Sequence, residues 1–190
     1  AGVGQWIDAM MRIEGAAVAP LTAITIGDWT VEADASVLEI QPEGATTGGS
    51  SSEKAHGSAD IQVIPSGPGE QGNALLQMLL APINAAERRL TITTPYLGPD
   101  DSLLWALRGA AGRGVTVRIV LPEKVDSILT RHASRSYYQD LLNAGIQIYL
   151  YRDGLLHTKS LTVDGTMAMF GTVNFDMRSL WLNYEVALFI

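Results

Sequence analysis

The chain of 190 residues contains no cysteine, and none of its segments approaches the roughly 20 apolar residues that cross a bilayer. The absence of cysteine excludes disulfides, thiolate metal sites and a cysteine nucleophile. Basic residues are also scarce, with 13 against 20 acidic residues and a formal net charge of -7. Non-specific nucleic-acid binders and proteins with a polybasic lipid-binding patch carry the opposite charge. We therefore expect no nucleic-acid partner.

Apolar residues make up 47% of the chain, which is enough to build a buried core at this length. Residues 42–58 are rich in glycine and serine and contain almost nothing to bury, so they predict a flexible linker or loop. Residues 1–41 form an N-terminal segment before this linker, and residues 59–190 form the main domain after it. Because the chain begins on Ala1 and ends inside an apolar stretch, we expect a fragment of a longer protein. Since no segment is long enough to cross a bilayer, we expect this fragment to be soluble on its own.

Segments typical of strands alternate with segments of helical spacing along most of the chain. The strand-like segments are residues 6–14, 61–64, 90–94, 115–121 and 146–151. The helical segments are residues 16–33, 74–87, 102–112 and 136–143. Strands separated by helices of this length form a sheet that is covered on both faces. We therefore predict an α/β fold with a mixed, largely parallel sheet flanked by helices on both faces.

The C-terminal part of the chain changes character, because its residues alternate strictly from His157 onward. His157 and Lys159 share one side of the predicted strand, with their Cα atoms roughly 6.5–7 Å apart. Asp164-Gly165 is a favoured pair for a two-residue hairpin turn, after which residues 166–170 return antiparallel. This pattern predicts that the imidazole and the ammonium emerge side by side.

An ammonium beside an imidazole repels a metal cation and suits an oxyanion, above all a phosphoryl group. Thr172 and Asn174 follow a glycine turn where Asn174 is placed to cap a helix, and helix starts also suit phosphate oxygens. A predicted strand from residue 184 carries Glu185, whose carboxylate can accept a hydrogen bond from one nitrogen of His157. The set comprises a nucleophile or acid, a cation, neutral donors and an orienting carboxylate. We interpret it as a phosphoryl-transfer site that needs no metal and no cofactor.

The pattern His157-x-Lys159-x4-Asp164-x6-Gly171-Thr172 matches the HxKx4Dx6G[S/T] signature of the phospholipase D superfamily. The chain also resembles the bacterial cardiolipin synthase branch of that superfamily in a series of further segments. They are residues 12–15, 65–68, 94–96, 110–115, 133–138, 174–180 and 182–185. The resemblance covers nearly the whole chain except the predicted linker.

The resemblance implies a site in which two such motifs face each other. One histidine attacks phosphorus and forms a phosphohistidine, and the other protonates the leaving alcohol. His157 matches the family's reactive histidine, and Lys159 matches its phosphate-binding lysine. Thr172 and Asn174 match positions that contact phosphate. Glu185 falls where the family places the carboxylate that orients the histidine.

The resemblance also implies a reaction, in which two phosphatidylglycerol molecules yield cardiolipin and glycerol. Asp164 matches the signature aspartate, and since it heads the hairpin turn we interpret it as mainly structural. The chain carries one motif, so it resembles the C-terminal half of a two-motif synthase of the bacterial cell membrane. Its partner is then the missing N-terminal half or a second copy, and the isolated chain is expected to be inactive. By analogy His157 is the general acid and base, with the nucleophilic role left open.

Two other functions stay open on the sequence. A single-motif phospholipase D-like phosphodiesterase or nuclease completes its site as a homodimer, and a non-enzymatic scaffold keeps the motif for structural reasons only. Tyr96, at the end of a predicted strand, either lines the site or packs in the core. His132 lies between Arg131 and Arg135, and we interpret these three residues as a solvated helix start.

Overall fold

The computed structural model describes residues 4–33, 59–68 and 73–190, so the predicted linker lies outside the described residues. The helices are α1 Val18–Ala33, α2 Ala74–Ala85, α3 Asp101–Gly112, α4 Ile128–Ser136, α5 Tyr138–Asn143 and α6 Met177–Trp181. The longer strands are β2 Gln62–Ser66, β3 Arg89–Thr93, β5 Thr116–Pro122, β6 Gln147–Tyr151, β8 Ser160–Val163, β9 Met167–Gly171 and β11 Glu185–Phe189. The two-residue strands are β1 Trp6–Ile7, β4 Leu97–Gly98, β7 Leu155–Leu156 and β10 Phe175–Asp176.

Seven of these strands form one mixed sheet in the order β2-β11-β9-β8-β3-β5-β6. The pairs β3–β5 and β5–β6 are parallel, and the other four neighbouring pairs are antiparallel. Because the antiparallel pairs follow one another, β2 and β9 run in the same direction as β3, β5 and β6. Most strands therefore share one direction, and the predicted mixed sheet is confirmed. Parallel pairing itself is less common than predicted, because the hairpin of β8 and β9 is inserted beside β3.

The main core lies between the sheet and helices α2 and α3, which pack against each other. A row of strand residues in register, Ile92, Ile119, Leu161 and Met169, is at most 1% exposed. Leucines and one isoleucine from the two helices meet this row in a single apolar cluster. Burial of this apolar surface is the main stabilising contribution to the domain.

Helix α1 covers part of the opposite face of the sheet, beside β9 and β11. Phe170 and Leu188 are partners in register and alternate with the core residue Met169, so they point to this second face. They line a cavity together with Leu21 and Ile24 of α1. Helices therefore flank the sheet on both faces, as predicted.

Two predicted strands have different bounds in the structure. The N-terminal strand comprises Trp6–Ile7 rather than residues 6–14, because its partner β7 offers only two residues for pairing. Strand β2 continues through Pro65 to Ser66, beyond residue 64 where the predicted strand ends. Proline fits here because β2 is an edge strand of the sheet.

Two predicted helices also differ. The segment predicted as one helix over residues 136–143 contains the end of α4 and the whole of α5, which meet at Tyr137. Asn174 does not cap a helix, since α6 begins at Met177 with Asp176 as its cap and Ser179 N–H as the donor at 2.8 Å. The intervening β10 pairs with β4 and holds the chain extended at the place where the sequence predicts the first turn.

The predicted turn between β8 and β9 is present. Asp164 and Gly165 both have positive φ values, 55° and 81°, and the N–H of Thr166 donates to the Val163 carbonyl at 3.1 Å. These are the features of a type I′ turn, which asparagine, aspartate and glycine favour. Strand β9 then begins at Met167 and returns antiparallel to β8.

Gly171 ends β9 at the closest approach to β11. A Cβ atom at this position would lie 2.1 Å from the carbonyl oxygen of Val186, which is too close for any side chain. Glycine at this place in the motif is therefore a packing requirement of the β9–β11 ladder.

Replacing Gly171 by alanine is expected to destabilise the domain, because the backbone of β11 must move away from the new methyl group. We expect the free energy of unfolding to fall by more than about 2 kcal/mol in urea denaturation. Gly112→Ala is the matched control, since nothing lies within 4 Å of its Cβ position. The control should change stability by no more than about 1 kcal/mol, and equal effects of the two variants would contradict the close approach.

Candidate active site

His157 and Lys159 lie in an extended segment between β7 and β8, not within a strand as predicted. The N–H of His157 donates to the carbonyl of Ile7 at 2.8 Å, so the segment is held by the N-terminal arm, residues 5–13. The Nζ atom of Lys159 lies 3.0 Å from Nδ1 and 3.1 Å from Nε2 of His157. It also donates to the backbone carbonyl of His157 at 2.5 Å. The imidazole and the ammonium are therefore in direct contact.

The ammonium of Lys159 is largely removed from water, with 8% of the residue exposed. Burial lowers the pKa of Lys159, while the charges of Asp8, Glu185 and Asp176 act to raise it. The three carboxylates come from separate elements, since Asp8 follows β1, Asp176 ends β10 and Glu185 begins β11. The site thus places one buried cation within the electrostatic influence of three carboxylates.

Two residues of the N-terminal arm contact His157, and no sequence motif singles out either of them. Asp8 Oδ2 lies 3.0 Å from Nδ1 of His157, and the ring of Trp6 lies 4.4 Å from the imidazole between centroids. Burial alone would raise the pKa of Asp8, but its hydrogen bonds with His157 and the N–H of Ala9 lower it. When Nδ1–H donates to Asp8, Nε2 is the acceptor nitrogen of the ring, and Lys159 Nζ contacts it at 3.1 Å.

The contact between Asp8 and His157 spans 149 positions of the chain, so no local spacing reveals it. It depends on the parallel pairing of β1 with β7. Gly154 permits this pairing, because a Cβ atom there would lie 2.2 Å from the carbonyl oxygen of Gln5. In the sequence, Asp8 stands out only as a carboxylate directly after two apolar residues, and this pattern is too common to predict a site.

Glu185 does not take the place that the sequence predicts for it. Among the described residues, the ring nitrogens of His157 pair with Asp8 and Lys159 rather than with Glu185. The Glu185 carboxylate accepts hydrogen bonds from Ser179 Oγ at 2.7 Å, Asn183 Nδ2 at 3.1 Å and the hydroxyl of Thr172. Glu185 therefore positions the hydroxyl of Thr172 near the start of β11. The carboxylate that contacts the histidine is that of Asp8.

A cavity of about 680 Å³ opens beside these groups. Its polar end is lined by Asp8, His157, Lys159, Thr172 and Asn174. The buried Oδ1 atom of Asn174 has no hydrogen-bond partner within the described part of the chain. Most of the remaining lining is apolar. The structure thus brings four of the six residues predicted for catalysis or phosphate binding to one cavity.

Asp164 lies away from this cavity, at the opposite end of β8 from His157. Its carboxylate accepts hydrogen bonds from the backbone N–H groups of Glu87, Arg88 and Arg89 at 2.8–2.9 Å. These bonds, that of Arg89 first, lower the pKa of Asp164. The aspartate ties the hairpin turn to the start of β3 and does not touch the reacting groups.

Tyr96 also lies outside the lining of the cavity. Its hydroxyl donates to Asp126 at 2.8 Å, and burial together with this bond raises the pKa of Tyr96 to about 12. His132 is exposed on α4 and does not line the cavity either. Tyr96 was predicted either to line the site or to pack in the core, and it does not line this cavity.

Across residues 4–33, 59–68 and 73–190, no cluster of three or more histidine, aspartate and glutamate side chains is placed to hold a metal ion. The carboxylates near Lys159 surround an ammonium and do not come together as a ligand set. Within the same ranges, no helix combines the length and the apolar character that crossing a bilayer requires.

Residues 79–190 match the family described as "Cardiolipin synthase, PLD-like domain". Over all 190 residues the chain is 48% identical to cardiolipin synthase A of Pectobacterium carotovorum and 47% identical to that of Yersinia pseudotuberculosis. The chain belongs to this cardiolipin synthase family. It spans 38% of the length of these curated relatives.

Solved structures of other proteins share the fold of this chain. Nuc of Salmonella typhimurium, a phospholipase D family member, superposes with a TM-score of 0.57 at 25% identity, covering 69% of this chain and 82% of its own. Phosphatidylserine synthase of Haemophilus influenzae has a TM-score of 0.53 at 21% identity, covering 68% of this chain and 34% of its own. The phospholipase D-like fold implied by the sequence resemblance is confirmed.

Replacing Asp8 by asparagine is expected to release the imidazole of His157, because the carboxylate that accepts the Nδ1 proton is lost. Nitrogen-15 NMR of the His157 ring should then show a mixture of tautomers instead of one, and Asp8→Glu should restore much of the original spectrum. Asp153→Asn is the control, since Asp153 is exposed and outside the cavity. An unchanged ring spectrum in Asp8→Asn would show that the contact does not orient the histidine.

Acid denaturation tests the role of Asp164. Because its folded-state pKa lies below the ordinary value of 3.8, its charged form stabilises the fold above that pH, and the contribution is lost as pH falls through the lowered pKa. Between about pH 4 and pH 2, wild type should therefore lose more stability than Asp164→Asn. Urea midpoints across this range give the measurement. Parallel pH curves for the two proteins would contradict the assignment.

Proposed function

We propose that this chain forms one half of the active site of a phosphatidyltransferase, which converts two phosphatidylglycerol molecules into cardiolipin and glycerol. The observation that carries the proposal is the contact of His157 with Lys159 at the polar end of a cavity that also contains Thr172 and Asn174. The name of the curated relatives, cardiolipin synthase A, supports the reaction class.

In this proposal Lys159 binds the phosphoryl group of the substrate. A partly desolvated ammonium forms stronger hydrogen bonds with phosphate oxygens than an ammonium in water does. A bound phosphate also restores part of the charge stabilisation that burial removes from Lys159. Asn174 lines the same cavity, and its Nδ2 amino group is a neutral donor for a phosphate oxygen.

The reaction proceeds in two half-reactions. An imidazole nitrogen attacks the phosphorus of the first phosphatidylglycerol, the bond from phosphorus to the glycerol headgroup breaks, and the second histidine gives its proton to the departing oxygen. A hydroxyl of the second phosphatidylglycerol then gives its proton to that histidine and attacks phosphorus, which breaks the phosphorus–nitrogen bond. By analogy with two-motif relatives we assign His157 the acid-base role. Because Asp8 binds Nδ1, this role falls to Nε2, which becomes available when Lys159 Nζ, 3.1 Å away, turns to the substrate phosphate.

The charges around Lys159 support a site that is completed by another half. One ammonium stands against the carboxylates of Asp8, Asp176 and Glu185, and a phosphodiester brings a further negative charge. Burial raises the pKa of Asp176, and the nearby charge of Glu185 raises it further. Additional cations are needed to bind the substrate anion well. We therefore propose that the isolated chain is inactive.

The missing half is either another part of a longer protein or a second copy of this chain. The first source fits the 38% share of the curated relatives' length that this chain spans. Because phosphatidylglycerol is a membrane lipid, we place the complete protein at the bacterial cell membrane.

His157→Ala in the full-length protein is expected to lower cardiolipin formation from phosphatidylglycerol by roughly 10²–10⁴-fold, because a proton transfer loses its carrier. His132→Ala is the matched control, since His132 is exposed and outside the cavity. The control should stay within about twofold of wild type, well below the effect of losing an acid-base group. A wild-type rate in His157→Ala would refute the catalytic assignment.

The isolated chain separates the proposal from its alternative. We expect sedimentation and activity assays to detect no active assembly of the isolated chain. It should hydrolyse neither phosphatidylglycerol nor DNA. A symmetric dimer of this chain that cleaves DNA without added metal would favour the homodimeric nuclease instead.

A further inference from the structure

Most of the cavity that begins at His157 and Lys159 is apolar, and the proposed chemical steps use none of this part. Its wall is built by the N-terminal arm, by α1 and by strands β9 and β11. The apolar side chains that line it are Met10, Met11, Ile13, Leu21, Ile24, Phe170, Val186 and Leu188. The total volume of about 680 Å³ lies within the range of ligand sites in proteins.

The sheet side of the wall is continuous with the phosphate-binding end. Val186 donates its N–H to the hydroxyl of Thr172 at 3.0 Å, and Thr172 returns its own N–H to the Val186 carbonyl. Phe170 lies two residues before Thr172, a step of roughly 7 Å along a strand, and Leu188 is its partner in register. The apolar wall therefore starts a few ångströms from the polar end and leads away from it along one face of the sheet.

The helix side of the wall offers little that is polar. Leu21, Ile24 and Thr25 have the spacing that places them on one face of α1. The hydroxyl of Thr25 donates to the carbonyl of Leu21 at 2.9 Å, so this donor is used inside the helix. Asp28, the charged lining residue of α1, lies two turns from Leu21, about 10 Å along the axis.

We propose that this apolar part of the cavity is an acyl-chain subsite, which holds a fatty-acid chain of the phosphatidyl group while its phosphate lies at Lys159. The proposal rests on the proposed function and names the part of the substrate that the wall recognises. In a glycerophospholipid the first acyl carbonyl is a few covalent bonds from phosphorus, which matches the short distance from Thr172 to the wall. A hydrocarbon chain suits the wall because it needs no hydrogen-bond partner there.

The test compares phosphatidylglycerols with four to eight carbons in each acyl chain, each assayed in the full-length protein below its critical micelle concentration. In wild type kcat/KM should rise by up to about fourfold for each added methylene that the wall buries. Ile24→Gln places a polar group of similar size on the wall and should flatten this rise. Ile24→Trp, which shortens the subsite, should stop the rise at a shorter chain.

Ala23→Gln is the matched control, because Ala23 is exposed on α1 and does not line the cavity. It should leave the dependence on chain length unchanged. The four-carbon substrate reports in each variant whether the protein is folded and catalytically competent.

The outcomes separate the subsite from the reaction. A wild-type rate that does not depend on chain length, with cardiolipin still formed, would overturn the subsite and leave the proposed function intact. Equal losses in Ile24→Gln at every chain length would also overturn it, since the wall would then seat another protein segment or a second copy. No transfer from any phosphatidylglycerol in wild type would overturn the proposed function itself.

Discussion

The buried ammonium of Lys159 is the constraint on which the rest of the site depends. A cation that has lost most of its water is costly unless anions and hydrogen-bond acceptors replace that water. The fold supplies the carbonyl of His157 and the carboxylates of Asp8, Asp176 and Glu185 from four separate parts of the chain. They converge because the β8–β9 hairpin is inserted between β3 and β11, which aligns the start of β8 with the end of β9 and the start of β11.

The same three carboxylates perform different tasks. Asp8 contacts the imidazole, Asp176 caps α6, and Glu185 collects three side-chain donors that include the hydroxyl of Thr172. Each anion is thus held by neutral donors or by the histidine while it faces the ammonium. The wall of α1, β9 and β11 beside the polar end of the cavity is mostly apolar. This division between the two ends matches the amphipathic lipid substrate that we propose.

Local patterns predicted the features whose physics is local. The turn at Asp164-Gly165 depends on two backbone conformations that these residues favour, and it is present. The helix predicted to begin at Asn174 begins later, because β10 pairs with β4 and keeps the chain extended there. Asp176 then caps α6, since aspartate is as favourable a cap residue as asparagine. The predicted pairing of Glu185 with His157 differs from the observed contacts of the carboxylate. The sequence indicates that this carboxylate lies near the site, but it does not indicate which hydrogen-bond donors surround it.

Residue types at short spacing were enough to predict the α/β class, the hairpin, the proximity of His157 to Lys159 and the family. Three features emerged from the folded structure alone: Asp8 pairs with His157, Asp164 and Tyr96 lie outside the cavity, and α1 contributes an apolar wall beside its polar end. These features depend on the close packing of elements far apart in the chain, such as β1 on β7. Pairing of that kind is set by the whole folded chain, and no local period of the sequence encodes it.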